Sequence, residues 1–381
     1  MTSRAEKLQS LGQSVWLDFI RRGHLLSGEF DHLVQKEGVV GVTSNPTIFQ
    51  LAIAESADYE RAVAAGVARG LHGPALFEAI AVEDIQMACD HLHAVWERTG
   101  GRDGRVSIEV SPRLAQDTAA TIEEARRLHR SVARPNVMVK VPATAEGLPA
   151  ITTLLGDGID INVTLIFSLA RYAQVMDAWL SGLERRAAAG GSLAGLYSVA
   201  SFFVSRVDNK VDAAIEKAAA ALPPGAAPRA ELESLRGRAA IANARLAYAA
   251  FRATCATPRY AALRARGAPP QRPLWASTST KNPAYPDTLY VDELIGADTV
   301  NTMPPKTLTA FNDHGRLEVA IERDLGAARD LFTRLPALGV PVDALIAELE
   351  PEGVAAFAKS YDSLLATLEE RRREVAAARG A

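Results

Sequence analysis

The sequence predicts an α/β fold: a single (β/α)8 TIM barrel, residues 1–381, with additional helical insertions and a helical C-terminal tail. Three observations lead there. Short strand-like runs alternate with helical patterns along the chain. Those runs are apolar on both faces, as strands of a parallel sheet covered by helices are. Polar residues with chemical potential gather at the C-terminal ends of the runs, the face on which such barrels carry their sites.

Taken in order, the first run is Gln13–Phe19. Its residues could also continue a helix begun at Arg4; it is read as a strand because a closed barrel needs eight. Gly38–Ser44, Arg105–Ser111 and Val137–Pro142 follow, rich in β-branched residues, with Pro142 as a stop. Ile159–Phe167, Tyr197–Val204, Arg272–Ser277 and Asp298–Thr302 complete the set. Helical patterns lie between, among them Asp117–Ser131 and Ser168–Ala189, the latter opening on an N-cap-like serine. The 381 residues exceed the roughly 250 usual for this fold. The surplus falls in Gln50–Gly104, in Asp208–Gln271 with its Pro-rich break at Leu222–Pro228, and in a tail from about Leu317. Helical patterning resumes after each break, so none reads as an interdomain linker.

Composition excludes several classes. Hydrophobic residues make up 48% and charged residues 23%, an ordinary globular balance with enough apolar mass for a large core. A net charge of −3 gives no general case for nucleic acid. The basic clusters Arg126–Arg130 and Arg371–Arg373 mix with glutamates and read as solvated helix faces. Only Cys89 and Cys255 are present, so no disulfide framework is implied and a reducing cytoplasm fits. Met1–Lys7 lacks the apolar core of a signal peptide, and no run approaches the ~18 apolar residues of a membrane span. A soluble cytoplasmic protein is expected. Cys89, His91 and His93 have weak metal character, because on a helix His91 points away from the face shared by the other two. Trp275, beside Ser277, is the one tryptophan considered as a substrate platform.

Lys140 is the sharpest signal. It stands inside Val137-Met138-Val139-Lys140-Val141-Pro142, otherwise a buried strand. An ordinary lysine, with pKa ~10.4, is neutral in about one molecule in 2500 at pH 7. Burial disfavours the ammonium, and a neutral amine attacks a ketone to form a Schiff base. The competing reading is a lysine that snorkels to water or pairs with a carboxylate. The company it keeps favours chemistry. The strand ends carry Asp18, Thr43-Ser44-Asn45, Glu109, Thr144, Asn162, Thr164, Ser201, Ser277 and Thr302. One amine, two carboxylates and several hydroxyls and amides suit covalent carbonyl chemistry, with the carboxylates moving protons. Arg206 and Lys281, just beyond the sixth and seventh strands, are placed to hold a phosphate. No Gly-x-Gly-x-x-Gly, Walker loop, Gly-x-Ser-x-Gly or His-Glu-x-x-His motif competes.

These residues resemble a transaldolase, of the longer bacterial branch. The resemblance is carried by Gly41–Phe49, Val106–Pro112, Val137–Thr144, Ile161–Ser168, Ser201–Asp208 and Leu274–Thr278, which follow the family's order over most of the chain. It implies a barrel working without metal or organic cofactor. Lys140 would form the Schiff base with a ketose phosphate, Asp18 would take the C4 hydroxyl proton, and Glu109 with Thr164 would hold a catalytic water. Asn45, Asn162 and Ser201 would contact sugar hydroxyls, with Phe203 lining the site. Arg206 and Ser277 would hold the phosphate; Lys281 stands in for an arginine that the family often has two residues after that serine. The implied partners are small sugar phosphates, with no nucleic acid and no membrane, in a monomer or homodimer. Two rivals remain: a fructose 6-phosphate aldolase of the same superfamily, which tends to have Tyr at Phe203 and Gln at Glu109, and a barrel-shaped binding protein without catalysis.

Overall fold

The computed structural model describes residues 2–380. Eight parallel strands close into a barrel in chain order. They are β1 (Gln13–Leu17), β2 (Val39–Val42), β3 (Arg105–Glu109), β4 (Val137–Pro142), β5 (Ile161–Ile166), β6 (Ser198–Phe203), β7 (Arg272–Ala276) and β8 (Thr299–Met303), and β8 pairs back on β1. Every expected strand is present, most with shorter ends. The ambiguity over the first is resolved by Gly12. The helix Arg4–Ser10 ends before it, and Gly12 adopts φ +84°, where an L side chain is strained. A Cβ at Gly12 would also lie 2.8 Å from Ala297 Cα.

The helices between strands start where the side chains provide caps. Asp117 accepts from Ala120 N to open Thr118–Val132, and Ser168 accepts from Arg171 N to open Leu169–Ala188. The insertion after β2 folds into Pro46–Ala54, Glu60–Ala68, Gly73–His91 and His93–Arg98, with a short 3-10 turn at Ala57–Tyr59. The stretch after β6 forms Ser205–Ala220, Ala227–Ser234, Ala239–Cys255 and Pro258–Ala265. The tail ends in a long helix, Leu349–Gly380.

Inside the barrel, side chains fill the N-terminal half. Trp16 is fully buried, and Gly41 is small so that it fits: a Cβ at Gly41 would lie 2.6 Å from the indole. Below it, Arg272 donates to Ser14 Oγ at 2.8 Å and pairs with Asp103 at 3.0 Å, while Trp16 Nε1 reaches Asp103 at 3.3 Å. Burial opposes the Asp103 charge, yet Arg272, Ser14 and Trp16 hold its carboxyl below the usual range. Arg105 pairs with Asp160 at the same end. That end is closed by hydrogen-bonded charge, so the polar residues at the other end of the strands form the open face.

The long last helix lies over that open face. It is tied to segments following several strands: Thr47 donates to Ser360 Oγ at 2.9 Å, Arg113 to Asp362 at 2.6 Å, Arg171 to Glu350 at 2.8 Å, and Lys210 pairs with Glu348 at 2.7 Å. Gly353 permits the close approach, since its Cβ would meet Leu165 at 3.0 Å and Phe167 at 3.4 Å.

Candidate active site

Lys140 is 3% exposed on β4. Its Nζ lies 3.4 Å from Glu109 Oε2 and donates to Ser44 O at 3.3 Å. Glu109 and Lys140 are register partners of adjacent strands, as are Lys140 and Asn162. Parallel pairing therefore puts all three side chains on the inner face at one level. Glu109 is pushed up to about 7 by burial, which outweighs the pull of Lys140, and the Asp18 charge pushes the same way.

Asp18 follows β1 and accepts from Thr43 Oγ1 at 2.7 Å; Thr43 in turn is 2.7 Å from Thr302 Oγ1. Burial raises the Asp18 pKa, while Lys140, the Thr43 hydroxyl, Lys281 and Arg206 counter it. Asp18 thus sits in the field of both the candidate nucleophile and the two expected phosphate cations. Thr164 is buried on β5, and neither its Oγ1 nor Glu109 Oε2 has a protein hydrogen bond. The two flank Lys140 from either neighbouring strand.

Asn162 and Ser201 are brought together: Ser201 Oγ donates to Asn162 Oδ1 at 2.7 Å, and Asn162 Nδ2 donates to Ser107 Oγ at 3.0 Å. Asn45 caps the helix Pro46–Ala54 by accepting from Ile48 N at 2.9 Å through its Oδ1. Ser277 adopts φ +56° and lies 2.9 Å from Ser205 Oγ. Arg206 is half-buried, its guanidinium 5.4 Å from the Phe203 ring centre. Lys281 is exposed and donates to Ser279 Oγ at 2.8 Å, and its charge acts on Asp18 from the rim.

Some sequence expectations are corrected. Thr144 does not join the site: its hydroxyl donates to Ala115 O at 2.5 Å and accepts from Gly147 N at 3.0 Å, closing a turn. Trp275 is no platform. It is fully buried, edge-on to Phe202 with ring centres 6.1 Å apart. Apart from these corrections, His91 pairs with Asp31 at 2.7 Å, and among the described residues no group of three or more His, Cys, Asp or Glu could hold a metal ion. The sequence reading also missed Phe357. Its ring centre is 5.9 Å from both Lys140 Nζ and Arg206 Cζ. The stripe Gly353, Phe357, Tyr361, Leu364, Leu368 at helical spacing was the available signal.

Comparison with known proteins agrees with this geometry. The family described as Transaldolase/Fructose-6-phosphate aldolase matches residues 15–368. A transaldolase of Frankia alni is 49% identical over 372 residues, covering 97% of this chain and 98% of its own. Transaldolase 1 of Streptomyces avermitilis is 49% identical over 361 residues, covering 94% and 93%. A transaldolase of Thermobifida fusca is 49% identical over 366 residues, covering 96% and 97%. Fold and likeness together define a barrel transferase of the lysine Schiff-base class. More particularly, the chain belongs to the transaldolase/fructose-6-phosphate aldolase family. Among the described residues no helix is long and apolar enough to cross a membrane.

Proposed function

We propose that the chain acts as a transaldolase of the pentose phosphate pathway, with Lys140 as its Schiff-base nucleophile. A dihydroxyacetone unit passes from sedoheptulose 7-phosphate or fructose 6-phosphate to erythrose 4-phosphate or glyceraldehyde 3-phosphate. The observation that carries the assignment of Lys140 is its buried contact with Glu109 at 3.4 Å, within the field of Asp18.

Lys140 attacks the ketose C2, and loss of water gives the imine. Asp18 takes the C4 hydroxyl proton, the C3–C4 bond breaks, and the aldose phosphate leaves. The three-carbon unit remains on Lys140 as an enamine until an acceptor aldehyde arrives. Glu109, poised near 7, relays protons through a water shared with Thr164; a pKa near the working pH suits that task. Asn45, Asn162 and Ser201 hold hydroxyls, and Phe203 lines the chamber. Arg206, Ser277 and, from the rim, Lys281 hold the phosphate. Phe203 has no hydroxyl and Glu109 is a carboxylate, which favours transfer over the release of free dihydroxyacetone. The whole chain, 1–381, serves as one catalytic domain. It works on small sugar phosphates in the cytoplasm without nucleic acid or membrane, as a monomer or homodimer.

The test is intact-protein mass after incubation with fructose 6-phosphate and borohydride, with peptide mapping and an acceptor assay. A dihydroxyacetone-sized adduct on Lys140, with turnover only when erythrose 4-phosphate is added, is expected. Lys140→Ala and Lys140→Arg should abolish trapping. An adduct on another lysine, or none, sinks the assignment, and acceptor-independent release moves it to the aldolase branch.

A further inference from the structure

We infer that Phe357, on the last helix, sets the partition between transfer and hydrolysis by walling the enamine carbon off from water. The inference rests on the Schiff-base reading above and extends it to a residue outside the barrel strands. The ring is 4% exposed and stands 5.9 Å from Lys140 Nζ and 5.9 Å from Arg206 Cζ. It therefore bridges the amine that carries the substrate and the cation proposed for its phosphate. On its other side Arg206 stacks near Phe203 at 5.4 Å, and Phe203 lies 5.1 Å from Phe167. Phe203 on β6 and Phe167, the residue after β5, thus pack together, and the Arg206 guanidinium joins them to Phe357 on the chain's last helix.

The chemistry explains what such a ring does. The enamine has two fates. In transfer, C3 attacks the acceptor aldehyde, a C–C bond forms, and the resulting imine is hydrolysed to release the new ketose. In hydrolysis, C3 takes a proton instead. Water then adds at C2, the C–N bond breaks, and dihydroxyacetone leaves with Lys140 regenerated. The wasteful route starts with a proton donor at C3. A phenyl ring offers no proton and excludes water from the volume it fills. The helix holding it is anchored on both sides of Phe357, by Glu350 to Arg171 and by Ser360 to Thr47. Gly353, one turn earlier on the same face, sets how closely the ring approaches.

The experiment compares Phe357→Ala, Phe357→Val and Phe357→Leu with the parent enzyme. Each is given fructose 6-phosphate, and dihydroxyacetone release without acceptor is measured against transfer to erythrose 4-phosphate. Borohydride trapping on Lys140 is run alongside. The release-to-transfer ratio should rise about tenfold or more in the alanine variant, less in valine, and stay within about twofold in leucine, which keeps the apolar bulk. An unchanged ratio in alanine or valine, with the Lys140 adduct still forming, overturns the inference. Failure of the alanine variant to fold leaves the valine ratio to decide. Absence of any adduct in the parent enzyme overturns the Schiff-base reading itself, and this inference with it.

Discussion

Glu109 and Lys140 are register partners on adjacent parallel strands, with Glu109 Oε2 3.4 Å from Lys140 Nζ. The barrel's own hydrogen-bond ladder fixes that spacing, so neither side chain needs a flexible loop to meet the other. A site built on strands holds its geometry more closely than one built on loops.

Glu109 carries a measurable cost in stability. With its pKa near 7 in the folded chain and near 4.5 unfolded, the folded state keeps a proton that the unfolded state has lost. Stability therefore falls as pH rises through that window, and the full penalty is present above it. Glu109→Gln should stabilise the fold by roughly 1–3 kcal/mol at pH 8, with the gain vanishing below about pH 4.5. The same variant should lose the inflection near 7 in its kcat/KM profile. Urea unfolding at both pH values, with rate profiles, checks this; equal stability of the two proteins at pH 8 contradicts it.

Thr43 helps keep Asp18 ionised, through a 2.7 Å hydrogen bond that counters burial. Thr43→Val removes that donor, so the Asp18 pKa should rise further. The acid limb of kcat/KM should move to higher pH, and activity should fall more in mildly acidic buffer than in alkaline buffer. A uniform loss at every pH would argue that Thr43 acts on packing alone.

Arg206 and Lys281 should differ in weight. Arg206→Ala should raise KM for phosphorylated substrates about 10–100-fold, the loss of a charged hydrogen bond, with a smaller effect on unphosphorylated sugars. Lys281→Ala, at an exposed rim, should cost under about fivefold. Steady-state kinetics with fructose 6-phosphate and fructose separates the two; equal losses on both sugars would remove Arg206 from the phosphate site.

The closed end of the barrel should respond to charge removal. Asp103→Asn leaves Arg272 buried without its partner, which costs about 3–5 kcal/mol. Because the Asp103 pKa is depressed in the fold, its contribution is present above the ordinary carboxylate pKa and is lost as pH falls through the folded value. Denaturation midpoints across acidic pH read this directly. A change of midpoint no larger than that of a surface aspartate variant would show that the pair contributes nothing.

The strands were legible because β-branched runs with proline or glycine stops have few alternatives, as Val137–Pro142 illustrates. The candidate site was legible where polar residues interrupt such runs, as Lys140, Glu109 and Asn162 do. Thr144 misled because a threonine just past a strand end serves equally well in a turn, and the side-chain pattern is the same for both. Gln13–Phe19 was ambiguous for a different reason. Its pattern fits either period, and Gly12 settles the matter only through a backbone conformation. Phe357 was hidden because its stripe reads as an ordinary buried helix face. Which surface a helix covers is decided by chain segments far away in sequence, here those carrying Thr47, Arg113 and Arg171.

The plug of Trp16, Asp103 and Arg272 fills the N-terminal end of the barrel, so the doorway to Lys140 lies at the C-terminal ends of the strands. In the proposed reaction both aldoses bond to the same carbon of the unit on Lys140, so the outgoing one must leave before the incoming one takes its place. The order of events is thereby set: the first product clears the doorway before the second substrate enters. Double-displacement kinetics, in which each aldehyde competes with the other for the loaded enzyme, are the traffic rule that follows.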